Sequence, residues 1–237
     1  MNDRTPITAG VAPRADRAIV LGAVAWVSSI QFFVTQWVVQ SAWTAPFSLA
    51  RNYISDLGNT TCGPFPSGPG MLVCSPWHAG MNASFVVVGL TVVLGAALLR
   101  DAFRPTRLSW WGLALVAFAG LGFVLVGLFP EDVSFPPHRL GAALQFICGN
   151  LGQVVLGAAM PGFRRGKGWA VYSIASGLVG MSATALFASG HSLGLGIGGM
   201  ERLAAYPLPV WTIVMGIAVI RRARPARNGV QPGRDRR

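Results

Sequence analysis

Six apolar stretches, separated by shorter polar or charged segments, govern what this chain can fold into. They fall at residues 18–39, 79–99, 108–129, 138–160, 169–189 and 207–220, the last being short and starting on Pro207. A hydrocarbon core of about 30 Å takes roughly 20 helical residues to cross. In lipid, a helix satisfies its own backbone and so can cross alone. Composition points the same way. Only 11% of the 237 residues are charged and 52% are hydrophobic, with a mean hydropathy of +0.51. A water-soluble domain carries about 25% charged residues. The expected fold is all-α, a polytopic membrane bundle of six transmembrane helices over residues 18–220.

The net charge of +11 does not point to nucleic acid, because the cations sit in short clusters between apolar runs and form no basic helix or recognition motif. Their positions instead set topology. Arg4, Arg14 and Arg17 precede the first stretch; Arg100, Arg104 and Arg107 join the second to the third; Arg164, Arg165 and Lys167 join the fourth to the fifth; seven arginines from Arg221 to Arg237 follow the sixth. Short loops rich in Lys and Arg stay cytoplasmic, so both termini, residues 1–17 and 221–237, are expected inside. An even number of spans fits that parity. The first stretch is longer than a signal-peptide core and SAWTA after it is a poor cleavage site, so it reads as an uncleaved helix. The tail RRARPARNGVQPGRDRR has almost nothing to bury and is expected to be disordered. Its cations would attract anionic headgroups or simply hold the topology.

The segments expected outside are of a different kind. RNYISDLGNT (Arg51–Thr60) follows the first stretch, and all three histidines share its side: His78 opening the second stretch, His138 opening the fourth, His191 closing the fifth. So do Asp56, Glu131, Asp132 and Glu201, half of the eight acids. Each remaining arginine has an acid near it in sequence: Arg51 with Asp56, Arg139 with Asp132, Arg202 with Glu201. Helical spacing puts Ser29, Gln36 and Gln40 on one face of the first stretch, and His138, Gln145, Gly149 and Gly152 on one face of the fourth. Ser173, Gly177, Gly180, Thr184 and His191 line up on the fifth, and His78 and Asn82 share a face on the second. Small and polar residues face other helices in a bilayer, and ionisable groups there are functional candidates. The candidate pocket is therefore Arg51, Asn52, Tyr53, Ser55, Asp56, His78, Asn82, Asp132, His138, His191, Glu201 and Arg202. Asp56 is expected to pair with an arginine across its mouth. Packing and polar glue alone remain the plainer reading for the deep Ser, Thr and Gly positions.

Two loops would roof this mouth. One holds Cys62 and Cys74 around the Pro/Gly-rich CGPFPSGPGMLVC; an oxidising side allows a disulfide between them, the alternative being two unpaired thiols. Cys148 reads as a small core residue. The other loop, GHSLGLGIGGMERLAAYP, lacks the ending and the strand–helix context of a phosphate-binding loop, which excludes nucleotide binding. Asn59-Thr-Thr fits a glycosylation sequon, but the arginine-heavy, lysine-poor composition suits a bacterial cytoplasmic membrane, where no glycan is expected.

NYISDLG, HAGMN, GLFPED, His138 and GGMERLAAYP with Trp211, in that order, resemble the prokaryotic "domain of unknown function 998" family of six-span membrane proteins. The likeness covers Ala18 to Ile220. More thinly, YISDLG followed by an asparagine in the second span is similar to the autophagy-modulator (DRAM) and GPI-remodelling membrane proteins. The resemblance implies fold, topology and a tilt towards lipid-related work; it carries no catalytic residues.

Four functions fit these residues. A binder would hold a lipid headgroup or small polar ligand in the outward pocket, with Arg51 and Arg202 offering the guanidinium fork to a phosphate or carboxylate. A zinc-dependent intramembrane hydrolase or transferase would use His78, His138 and His191 as ligands, with Asp56 or Asp132 as fourth ligand or base. That set resembles the ceramidase and adiponectin-receptor type of hydrolase, but those place two histidines four apart on one helix, and this chain has no such pair. A structural protein would use the charges to lock loops. A transporter would show an inverted repeat or matched broken helices, and only the Pro207/Pro209 interruption hints at one. The sequence favours the binder, with no resident cofactor and membrane lipid as partner.

Overall fold

Uncharged runs of Ala, Leu, Val and Gly coil into helices because each N–H then finds a carbonyl within its own segment. The structure is a computed structural model and describes residues 12–64, 72–160 and 167–223. Six helical segments among them are long and apolar enough to cross a membrane: 17–41, 78–98, 107–128, 135–159, 167–188 and 197–223. The chain is an all-α, multi-pass membrane bundle.

Several spans are interrupted, and each interruption has a local cause. The first consists of α1 (Ala12–Val27) and α2 (Ile30–Ser41). Ser28 Oγ donates to Ala25 O at 2.7 Å, a side-chain bond that competes with the helix ladder and bends it. Beyond α2, an irregular segment leads to a 3₁₀ turn, Ser55–Gly58, and a short hairpin of β1 (Gly63–Pro64) and β2 (Leu72–Val73). Helices α3 (His78–Leu98) and α4 (Arg107–Leu128) are unbroken. The N-cap of α4 is Thr106, whose Oγ1 accepts from the Ser109 N–H at 3.1 Å. Between them, Gly89 and Gly120 face each other; a Cβ on Gly89 would lie 2.5 Å from Gly120 O. Only hydrogen at both positions allows so close a crossing.

The fourth span is α5 (Phe135–Ala143), a π turn (Leu144–Cys148) and α6 (Gly149–Ala159). It is followed by α7 (Lys167–Ala188). The sixth span differs from the expected 207–220. The stretch GGMERLAA, read as loop, is helix α8 (Ile197–Ala205), continued after Tyr206 by α9 (Pro207–Ala223). Pro209 has no N–H, so the Ala205 carbonyl four residues earlier loses its helical donor. Gln145 Nε2, on the π turn, supplies one at 3.1 Å, and Asn150 Nδ2 reaches the neighbouring Ala204 O at 2.9 Å.

Trp26, Phe32, Met81, Leu156, Met200 and Trp211 are fully buried at the centre of the bundle. Trp26 Nε1 donates to Val92 O and Trp211 Nε1 to Ser173 Oγ, so each indole meets a neighbouring helix by a polar bond as well. The loops at one end of the bundle carry residues 42–64, 72–77, 129–134 and 189–196; we call this the loop end. Arg100, Arg104, Arg107, Lys167, Arg221 and Arg222 lie at the opposite, basic end. Arg221–Ala223 still belong to α9. The expected disordered tail beyond them, residues 224–237, and the N-terminal residues 1–11 lie outside the described residues.

Candidate functional site

The loop end is built from the segment RNYISDLG. Asn and Asp fold the backbone onto their own side chains, and both do so here. Asn52 Oδ1 accepts from the Ser48 N–H at 3.0 Å. Asp56 Oδ2 accepts from the Tyr53 N–H at 2.8 Å and from Asn52 Nδ2 at 3.2 Å. The folded segment then docks on α8. Glu201 Oε2 accepts from the Ile54 N–H, and the Gly198 N–H donates to Ala50 O at 2.9 Å. Arg202 Nη1 donates to Leu49 O, Asn52 O and Gly198 O at 3.0, 2.6 and 2.9 Å. Gly198 makes this approach possible, since a Cβ there would collide with Asn52 O.

Asn52, Ser55, Asp56, Glu131, His138, Glu201 and Arg202 are all buried. Glu131 links them. It lies 4.0 Å from His138 Nε2 and its side chain hydrogen-bonds with Asp56 and Ser55. Burial first, and then the charges of Asp56 and Glu201, push its pKa up to about 9, so at neutral pH it is a neutral acid that donates to Asp56. The same causes, burial ahead of the Glu201, Glu131 and Asp56 charges, push the Tyr53 phenol up to about 12. His138 Nδ1 is held by Phe129 O at 2.9 Å. Below these groups is a cavity of about 30 Å³, lined by Ser55, His138, Gln145, Glu201 and the rings of Phe32 and Phe146. It has room for water-sized occupants and none for a headgroup.

Arg202 leaves something over. Its Nη1 serves three carbonyls, whereas Nε and Nη2 are buried and, among the described residues, have no partner at full hydrogen-bond geometry, the Tyr206 hydroxyl being the polar group beside the guanidinium. These two nitrogens form one edge of the guanidinium, the edge that grips a carboxylate or phosphate with two parallel bonds. The face lies 5.7 Å from the Phe47 ring, which itself contacts Trp43 edge-on at 5.1 Å. Trp43 Nε1 is a second buried donor without a partner, and Gln36 Nε2 a third. The Gln36 oxygen is taken by the Tyr206 hydroxyl at 2.8 Å, which fixes the amide with its NH₂ unused.

The other sequence candidates lie apart from this group. Asp132 accepts at 2.8–3.0 Å from the N–H and hydroxyl groups of Thr60 and Thr61. Burial would raise its pKa, but those four bonds outweigh it and hold the carboxylate below its usual value. Asn82 Nδ2 donates to Gly58 O at 2.9 Å, and His78 Nδ1 meets Ser75 O at 2.9 Å. His191 is exposed, beside Ser189 Oγ at 3.1 Å, and Arg51 is exposed. The three histidines thus have three separate partners. Among the described residues no group of three or more His, Cys, Asp or Glu is placed to hold a metal ion. Cys62 and Cys74 form the disulfide. Asn59, the sequon residue, is buried.

Glu131 was visible as an outward acid but not as the link between Asp56 and His138. Gln36 and Gln145 stood on the polar faces, whereas Trp43 gave no signal beyond being aromatic at a span end. The family described as Protein of unknown function (DUF998) matches residues 15–218, and the chain belongs to it. No curated protein and no solved structure matches, so the likeness to the autophagy-modulator and GPI-remodelling proteins stays a resemblance.

Proposed function

We propose that this DUF998 family member binds the anionic group of a membrane lipid headgroup at its loop end, with the Nε/Nη2 edge of Arg202 as the grip. The observation that carries this reading is the buried guanidinium edge without a fully formed hydrogen bond among the described residues. An unsatisfied buried charged donor is expensive, and an incoming phosphate or carboxylate removes that cost while Trp43 Nε1 and Gln36 Nε2 add neutral donors. The nearby acids do not compete for the edge. Glu201 accepts from Ile54, Asp56 from Asn52 and Tyr53, and Glu131 is neutral. The positive-inside distribution supports an extracytoplasmic position, in the bacterial cytoplasmic membrane, for this end.

Arg202→Lys tests the reading, because it keeps the charge and loses the fork. Purified protein in neutral detergent is titrated with dioleoyl phosphatidate, oleate, dioleoylglycerol and inorganic phosphate while thermal unfolding is followed. The two anionic lipids are expected to raise the wild-type midpoint, dioleoylglycerol not to, and Arg202→Lys to fold yet lose the shift. Stabilisation by inorganic phosphate alone would identify a free anion as the ligand. Equal shifts from neutral and anionic lipids, or an unchanged response in Arg202→Lys, would refute the assignment.

A further inference from the structure

The basic end holds a cavity of about 600 Å³, within the roughly 300–1,000 Å³ range of small-molecule sites. Both α7 and α9 line it. Trp211 Nε1 donates to Ser173 Oγ at 2.8 Å and joins the two helices. One turn further towards the basic end, Trp169 on α7 and Met215 on α9 line the cavity. Phe103 and Met160 complete an apolar wall, and Arg104 and Arg222 stand on it.

These two arginines are exposed, and among the described residues neither takes part in an ion pair; Asp101, an acid at this end, lies 3.6 Å from Arg100. An apolar chamber bearing two uncommitted guanidinium groups is complementary to an amphiphile with an anionic head. The chain's own tail is a poor occupant, because residues 224–237 contain five arginines and one acid and would be repelled. We propose that this cavity is a second lipid site, which takes one anionic glycerophospholipid from the adjoining leaflet, its phosphate between Arg104 and Arg222 and an acyl chain against Trp169 and Met215. This site shares no residue with the Arg202 site and does not depend on it.

Native mass spectrometry of the full chain released from detergent tests this, with dioleoyl-phosphatidylglycerol and zwitterionic dioleoyl-phosphatidylcholine as probes. One phosphatidylglycerol is expected to stay bound to the wild type under activation that strips phosphatidylcholine. The double variant Arg104→Gln/Arg222→Gln should weaken that binding by about tenfold or more, the loss of charge-assisted contacts to a phosphate. Ala159→Trp, which fills the chamber, should abolish it; if that variant does not fold, Val219→Trp on the α9 wall is used instead. Arg202→Lys should leave this adduct in place, so either site can fail without the other. Equal retention of the two lipids by the wild type, or an adduct that survives the filled chamber, would overturn the proposal.

Discussion

The two ends of the bundle handle charge in opposite ways. At the loop end, Asp56, Glu131, His138, Glu201 and Arg202 are inside the protein, and a backbone or side-chain partner is specified for each. At the basic end, Arg100, Arg104, Arg107 and Arg222 stay exposed, and Arg104 and Arg222 line an apolar cavity. A buried charge is tolerable only in a fixed geometry with its hydrogen bonds made, so the loop end must be rigid and can be selective. Exposed arginines need no such geometry and act through their field. Substitutions at the two ends should therefore differ more in kind than in position.

The largest effect is expected from Asp56→Ala. It strands the Tyr53 N–H, Asn52 Nδ2 and the Glu131 carboxyl together, and should cost about 3–5 kcal/mol, the scale for breaking a buried charged network. Thermal unfolding in detergent reads it; a loss no larger than that of a surface change would mean that the cluster does not order the loop. Replacing Cys62 and Cys74 by serine frees a loop with a sequence separation of 12 and should cost about 2–3 kcal/mol, or the same as simple addition of reductant to the wild type.

Glu131 sharpens the comparison through pH. Its pKa rises from 4.5 in the unfolded chain to about 9 in the fold. The folded protein therefore keeps a proton that the unfolded chain gives up, and stability falls as pH rises from about 4.5 to about 9. Glu131→Gln should flatten this dependence and unfold at a higher temperature than the wild type at pH 9. A slope that survives the substitution assigns the titration to another group. The smallest effect should come from Arg100→Gln at the basic end, within about 0.5 kcal/mol as for other exposed sites.

The spans were legible because length and hydropathy suffice to mark them. The cluster was partly legible, since Asp56, His138, Glu201 and Arg202 are rare residue types in an apolar chain. Their grouping was not. Gly198 and Gly199 made α8 look like loop, when Gly198 is there to admit the Asn52 carbonyl. Charge proximity in sequence paired Arg202 with Glu201, and the Arg202 charge does act on Glu201, but the hydrogen bonds could not be read: Arg202 serves three carbonyls and Glu201 an N–H. His78 and His191 share a side with His138 but not a site, because helical faces fix direction and say nothing about which loops fold between. The cavity at the basic end had no sequence signal: residues from four separate parts of the chain, 102–109, 159–160, 169 and 215–222, line it.

The central claim is that the Nε/Nη2 edge of Arg202 holds a lipid anion. Solid-state NMR of the ¹⁵N-arginine-labelled protein in bilayers containing dioleoyl phosphatidate measures it directly, through ¹⁵N–³¹P dipolar contacts between guanidinium and phosphate. A contact at an Nε that disappears in Arg202→Lys and persists in Arg104→Gln/Arg222→Gln is the predicted result. If every contact survives Arg202→Lys and vanishes in the basic-end variant, the loop end binds no lipid anion and its buried charges serve the fold alone.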